Sequence, residues 1–102
     1  MRLFEWDTAK AQANRRKHRV SFEIARHVFD DPDALAEQDR IEGGELRWQT
    51  LGMVDGLLLV LVAHTVEFSD DEPDETIRII SARRADGGER KRYEKERQKN
   101  YF

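Results

Sequence analysis

Val54-Asp55-Gly56, running into Leu57-Leu58-Leu59-Val60-Leu61-Val62-Ala63, decides how this chain folds. Aspartate and glycine tolerate the positive φ of a tight type I′ turn, so a strand ending at Val54 is expected to fold back antiparallel onto the run that follows. That run does not alternate apolar with polar residues. Both of its faces must be buried, which makes it the central strand of a sheet covered on each side.

Upstream of the turn, residues 46–54 supply the partner strand. Glu42-Gly43-Gly44-Glu45 is a second turn, and residues 35–40 form a weaker strand before it. Downstream, an acidic connection over 69–75 with Pro73 leads into a last strand over 77–82. Strict alternation there sends Arg78, Ile80 and Ala82 to one face and Ile77, Ile79 and Ser81 to the other, so Arg78 and Arg83 are expected on opposite faces. At the start of the chain, Leu3-Phe4-Glu5-Trp6 reads as an edge strand or an extended lead-in. Asp7 caps a helix over 7–17, with Trp6 packing on Ala11. Ser21 caps a second helix over 21–29, whose Phe22, Ala25, Val28 and Phe29 recur at core-facing spacing, and Asp30-Asp31-Pro32-Asp33 ends it. Asp86 and Glu89 are spaced as a capping box for a last helix over about 87–98. Apart from Tyr93 that helix is almost wholly charged, so it is expected to gain little from packing and to fray past residue 95 unless a partner holds it. The expected fold is a single α+β domain over 1–102, with two N-terminal helices on an antiparallel sheet of about four strands and a C-terminal helix.

Of the 102 residues, 38% are apolar and 38% charged, and none is cysteine. Disulfides and thiolate metal sites are excluded, and a cytoplasmic location is expected. The apolar run 57–63 is far too short to cross a bilayer, and no signal peptide is visible, so no membrane is expected as a partner. A formal net charge of −3 hides a strong polarity. Residues 1–20 hold six Lys/Arg against two acids, 21–77 hold three against fifteen, and 78–102 hold nine against four. If folding joins the basic ends, one face can track a phosphate backbone while the other faces water or a basic partner.

Phe4-Glu5-Trp6-Asp7 with Lys10, Asn14 and Lys17-His18, then Val20-Ser21-Phe22-Glu23, Val28-Phe29-Asp30-Asp31-Pro32, Arg78-Ile79-Ile80-Ser81-Ala82-Arg83, Glu89-Arg90 and Tyr93-Glu94, resembles the BrnT family of toxins. The resemblance covers nearly the whole chain in order. It implies a RelE-like fold and the toxin role of a type II toxin–antitoxin module, namely a ribonuclease that blocks translation. It also implies a BrnA-type antitoxin as partner, with operator DNA reached only through that antitoxin. The chain departs from the family at Arg19, where glycine usually follows Lys-His, at Asp86-Gly87-Gly88, and in a longer acidic stretch at 69–75. A non-enzymatic module that holds an antitoxin and modulates its DNA binding is the alternative, and no helix-turn-helix is present.

Metal-independent RNA cleavage needs a base, a cation for the phosphorane and an acid. Arg83 is the first candidate for the cation, because guanidinium grips phosphate oxygens bidentately; otherwise it forms an ion pair with an acid such as Glu89. Arg47, Lys17 and His18 are expected to converge on one end of the sheet. His18 is an acid or base, or a helix cap; His64 is a second candidate, or a core residue; Glu89 is a base, or a capping carboxylate. Lys10, Arg16, Arg78, Arg84 and Arg90 are expected to bind RNA. His18, His27 and His64 lack ligand spacing, and no glycine-rich phosphate loop occurs, so neither metal nor cofactor is expected.

Overall fold

The computed structural model describes residues 2–70 and 74–101. Five strands, β1 (Arg2–Glu5), β2 (Leu35–Glu42), β3 (Glu45–Val54), β4 (Leu58–Phe68) and β5 (Glu75–Arg84), form one sheet in the order β1-β5-β4-β3-β2. Three α-helices accompany it: α1 (Thr8–His18), α2 (Phe22–Ala25) and α3 (Gly87–Tyr101). The sheet is mixed rather than antiparallel, and has one strand more than expected. Its first strand runs parallel to β5, with Phe4 opposite Ile77.

The turn at Asp55-Gly56 forms as its residues require. Asp55 has φ 52° and Gly56 φ 69°, and the Leu57 amide donates to the Val54 carbonyl at 3.0 Å. Leu57 itself belongs to the turn and is 86% exposed, so the strand begins one residue later than expected, at Leu58. Beyond it β4 is buried on both faces. Val60 and Val62 join a core with Phe22, Ala25 and Val28, while Leu59 and Leu61 join a second core with Leu51 and Tyr93.

The caps also form. Asp7 accepts from the Lys10 amide at 2.9 Å and Ser21 from the Ile24 amide at 3.1 Å. Trp6 lies edge-on to Phe22, with ring centroids 5.9 Å apart. Arg19 ends α1 in the left-handed region, at φ 59° and ψ 30°, where an L side chain costs about 1–2 kcal/mol. The second helix is shorter than expected, because after Ala25 the chain tightens into a 3-10 turn over Arg26–Asp30. Asp31, which precedes proline, is extended.

The 3-10 turn presses on β3 at Gly52. A Cβ there would stand 2.8 Å from both the Val28 Cβ and the Val28 carbonyl oxygen, so only glycine permits the approach. Gly52→Ala is expected to cost about 1–3 kcal/mol in urea unfolding, the usual penalty of overpacking. An unchanged midpoint would show that the turn simply moves away.

Between Ala63↔Ser81 and His64↔Ile79 the register shifts, leaving Ile80 as the extra residue of a β-bulge. Alternation therefore slips by one, and Ile77, Ile79 and Ala82 all enter the same core. At Ala82, the free edge of β5 is closed by the buried Asn14. Its amide donates to the Ala82 carbonyl at 2.8 Å and accepts from the Ala82 amide at 3.1 Å, as a neighbouring strand would.

The last helix continues to Tyr101, past the point where fraying was expected. Asp86 and Glu89 form the capping box, with reciprocal bonds of 2.8 and 2.9 Å. No helix of the described residues is long and apolar enough to cross a membrane. The middle of the acidic stretch, 71–73, lies outside the described residues.

Candidate functional site

Three of the expected guanidinium groups share one sheet face, the one on which α3 packs. Arg78 lies between Ile77 and Ile79, which enter the core under α1 and α2, so it projects to the opposite side. Arg83 follows Ala82 of that core and stands in register with Leu61 of the other. Arg47 has the same parity along β3 as Leu51 and Met53, which belong to the α3 side. The expectation that Arg78 and Arg83 point to opposite faces is therefore overturned, because the bulge at Ile80 restores them to one.

Register fixes their spacing. Trp48 pairs with His64 and Arg78 with Thr65, so Arg47 and Arg78 flank Thr65 from the two neighbouring strands. Two strand spacings put them about 10 Å apart, and Arg83, four residues further along β4, about 13 Å away. Between them the surface is made of Gln49, Ala63 and Ser81, small or polar and half-buried. Tyr93 of α3 covers only the end of this face nearest the Asp55-Gly56 turn, against Leu51, Leu59 and Leu61.

Each guanidinium meets a carboxylate. Arg83 grips Glu89 with two parallel bonds of 2.8 and 2.9 Å, Arg78 donates to Glu45, and Arg47 stands 3.7 Å from Glu42. The Arg47 pair is the loosest. Its Nε is buried and has no hydrogen-bond partner among the described residues.

The Arg83 bond holds the Glu89 carboxyl below the ordinary carboxylate range, helped by the Asp86 amide, and Glu89 in turn raises Arg83. Both stay charged at neutral pH. A carboxylate so engaged is a weak proton acceptor, so Glu89 acts here as cap and counter-ion.

The other candidates lie elsewhere. Asn14 meets Ala82 on the face away from Arg83, and Lys17 and His18 follow it at i+3 and i+4 on the same side of α1. Lys17 is exposed and His18 half-buried. Arg16 lines a shallow hollow with Gln12, Arg15 and Arg19. Lys10, Arg84 and Arg90 are exposed. The basic ends of the chain do meet, through α1 and β5, but the sheet separates Lys17 and His18 from Arg47 and Arg83. Their expected convergence at one end of the sheet is not what the fold builds.

His64 is buried, 2% exposed, on the α2 side against the edge of Phe29. Its Nδ1 donates to the Thr65 carbonyl at 3.3 Å, which makes Nε2 the acceptor of the Thr50 hydroxyl at 2.7 Å. Burial lowers its pKa, against the opposing pull of the Thr65 carbonyl and Glu75. The unfolded chain takes up this proton near pH 6.5, the ordinary value, and the folded chain resists it. Stability from this source is complete above pH 6.5 and falls as the pH drops toward the folded value. His64→Gln should flatten the stability profile below pH 6.5, measured by urea unfolding. An equal slope in both proteins would remove His64 as the cause.

Residue-level reading of the sequence missed Glu42 and Glu45 as counter-ions, and Asn14 as the cap of the β5 edge. Paired spacing within β2 and β3 carries no signal for either carboxylate, since Arg78 is brought to Glu45 only by the sheet.

Comparison with known proteins agrees with this architecture. Residues 6–89 match a family model described as the ribonuclease toxin BrnT of type II toxin–antitoxin systems. The crystal structure of the Brucella abortus ribonuclease toxin BrnT superposes with a TM-score of 0.61 at 22% identity, covering 84% of this chain and 97% of that one. No curated protein sequence matches the chain.

Proposed function

Since the chain belongs to the BrnT family of ribonuclease toxins, we propose that it is itself a metal-independent endoribonuclease that blocks translation in the cytoplasm until an antitoxin of the BrnA type binds it. The observation that supports this reading best is the polar face on which Arg47, Arg78 and Arg83 stand within about 10–16 Å, the scale of a few nucleotides. The 2′-hydroxyl gives its proton to water as its oxygen attacks the adjacent phosphorus, the 5′-oxygen leaves with a proton taken from water, and charge builds on the non-bridging oxygens. Guanidinium groups held in place before reaction stabilise that charge without reorganisation. Among the described residues no histidine stands on this face, so charge stabilisation rather than imidazole acid–base chemistry carries the rate. Operator DNA is reached only through the antitoxin.

The chain with an RNA transcript and EDTA is expected to give fragments ending in a 2′,3′-cyclic phosphate and a 5′-hydroxyl. Intact RNA, with tight antitoxin binding retained, would favour the second reading, a module that only holds the antitoxin. The pairing of all three guanidiniums with carboxylates favours that reading, because RNA must displace Glu42, Glu45 and Glu89 to reach them.

A further inference from the structure

At the end of the sheet remote from the Asp55-Gly56 turn lies a pocket of about 660 Å³. Its apolar wall includes Phe29, Leu46, Trp48 and Ile77, with Phe68 at the mouth. Phe68 is 73% exposed and Leu46 37%, an apolar surface that a free monomer gains nothing by showing to water. The polar part of the lining is acidic. Of its cations, Arg2 is held by Glu75 and Arg78 by Glu45, which leaves Glu5 and Glu67 exposed and with no ion-pair partner among the described residues.

These two features select the class of occupant. A nucleic acid would bring phosphates against uncompensated carboxylates, so charge excludes it from this pocket. A bare apolar ligand would leave Glu5 and Glu67 unanswered. We propose that the pocket docks a basic segment of a protein partner, which seats one bulky apolar side chain beside Trp48 and Phe68 and sets flanking lysines or arginines against Glu5 and Glu67. The charge of the chain fits, because residues 21–77 carry fifteen acids against three bases while both ends are basic. An aromatic or aliphatic anchor in a pocket with a charged rim is the usual anatomy of such a contact. By register Glu5 stands opposite Arg78 and Glu67 two residues beyond Thr65, so with Arg78 and Glu45 they lie at the edge of the polar face described above, and an occupant anchored beside Trp48 and Phe68 reaches round the end of the sheet to meet them. The docking stands whether or not the chain cleaves RNA.

The test uses the whole chain and three twelve-residue peptides: one with a central Leu-Phe pair flanked by lysine and arginine, one with that pair replaced by serine, and one with the pair flanked by glutamate. Calorimetry should detect only the first, and its binding should weaken with salt. In ¹⁵N spectra it should shift the amides of Trp48, Thr65 and Phe68. The E5Q/E67Q variant, which touches only exposed side chains, should bind it about fivefold more weakly. Phe68→Ala should weaken it further while leaving the melting curve in place. Equal binding of the glutamate peptide, undiminished affinity in E5Q/E67Q, shifts confined to other surfaces, or the same shifts produced by a ten-nucleotide oligouridylate would each overturn the proposal.

Discussion

Replacing Arg83 with alanine is expected to lower RNA cleavage by about two to three orders of magnitude, the usual cost of removing one donor that stabilises transition-state charge. The Arg83 side chain is 40% exposed, and its pair with Glu89 is correspondingly screened, so the fold should lose about 1 kcal/mol or less. Glu89→Gln separates the two uses of this guanidinium. Glutamine preserves the return bond of the capping box, yet removes the charge that competes with phosphate. If Arg83 serves only to anchor α3, Glu89→Gln should lose as much activity as Arg83→Ala. If it meets phosphate, Glu89→Gln should cleave at least as fast as the parent. Rates of all three proteins on one RNA, with their melting curves, distinguish these cases. Undiminished cleavage by folded Arg83→Ala would leave Arg47 and Arg78 as the only cations of that face among the earlier candidates.

What could be read from the sequence follows the range of the interactions involved. The hairpin at Asp55-Gly56 and the caps at Asp7, Ser21 and Asp86 depend on neighbours within a few positions and formed, and the two-sided burial expected of residues 57–63 formed over 59–62. The pairing of β1 with β5 joins Arg2 to Glu75 across the chain, and four residues carry no mark of such a partner. The bulge at Ile80 is equally silent, because it is set by how β5 lies on β4 and not by its own composition. That one residue moved Arg78 to the face of Arg83 and so reshaped the candidate site. The site's residue types were legible, whereas their grouping was not: Arg47, Arg78 and Arg83 were brought together, and Lys17, His18 and His64 were placed behind the sheet.

Tyr93→Ala is expected to have the largest effect on stability, about 3–5 kcal/mol, which is a large share of the 5–15 kcal/mol that holds a domain of this size. The helix that carries it is charged almost throughout, and Tyr93, 2% exposed, is its one large buried side chain among the described residues. Around it, among the described residues, the contacts are polar: Arg92 reaches Glu37 at 2.9 Å and Arg97 stands 3.5 Å from Asp33. The phenol donates to Asp31 at 2.6 Å, and the same carboxylate accepts the Met53 amide at 2.7 Å and the Asp33 amide at 2.9 Å. Asp31 thus ties the loop after the 3-10 turn to β3 and α3, although its sequence context marks it only as a residue before proline. Tyr93→Phe keeps the ring and removes the bond to the carboxylate, so it should cost about 1.5–3 kcal/mol. Burial, reinforced by Asp31, pushes the phenol well above its ordinary value near 10. The unfolded chain therefore releases a proton above pH 10 that the folded chain keeps, and stability from this source is complete below pH 10 and lost as the pH rises further. Tyr93→Phe lacks that loss, so the gap between the two proteins in urea unfolding should narrow above pH 10. A gap that stays constant would mean that the tyrosine contributes through its ring alone.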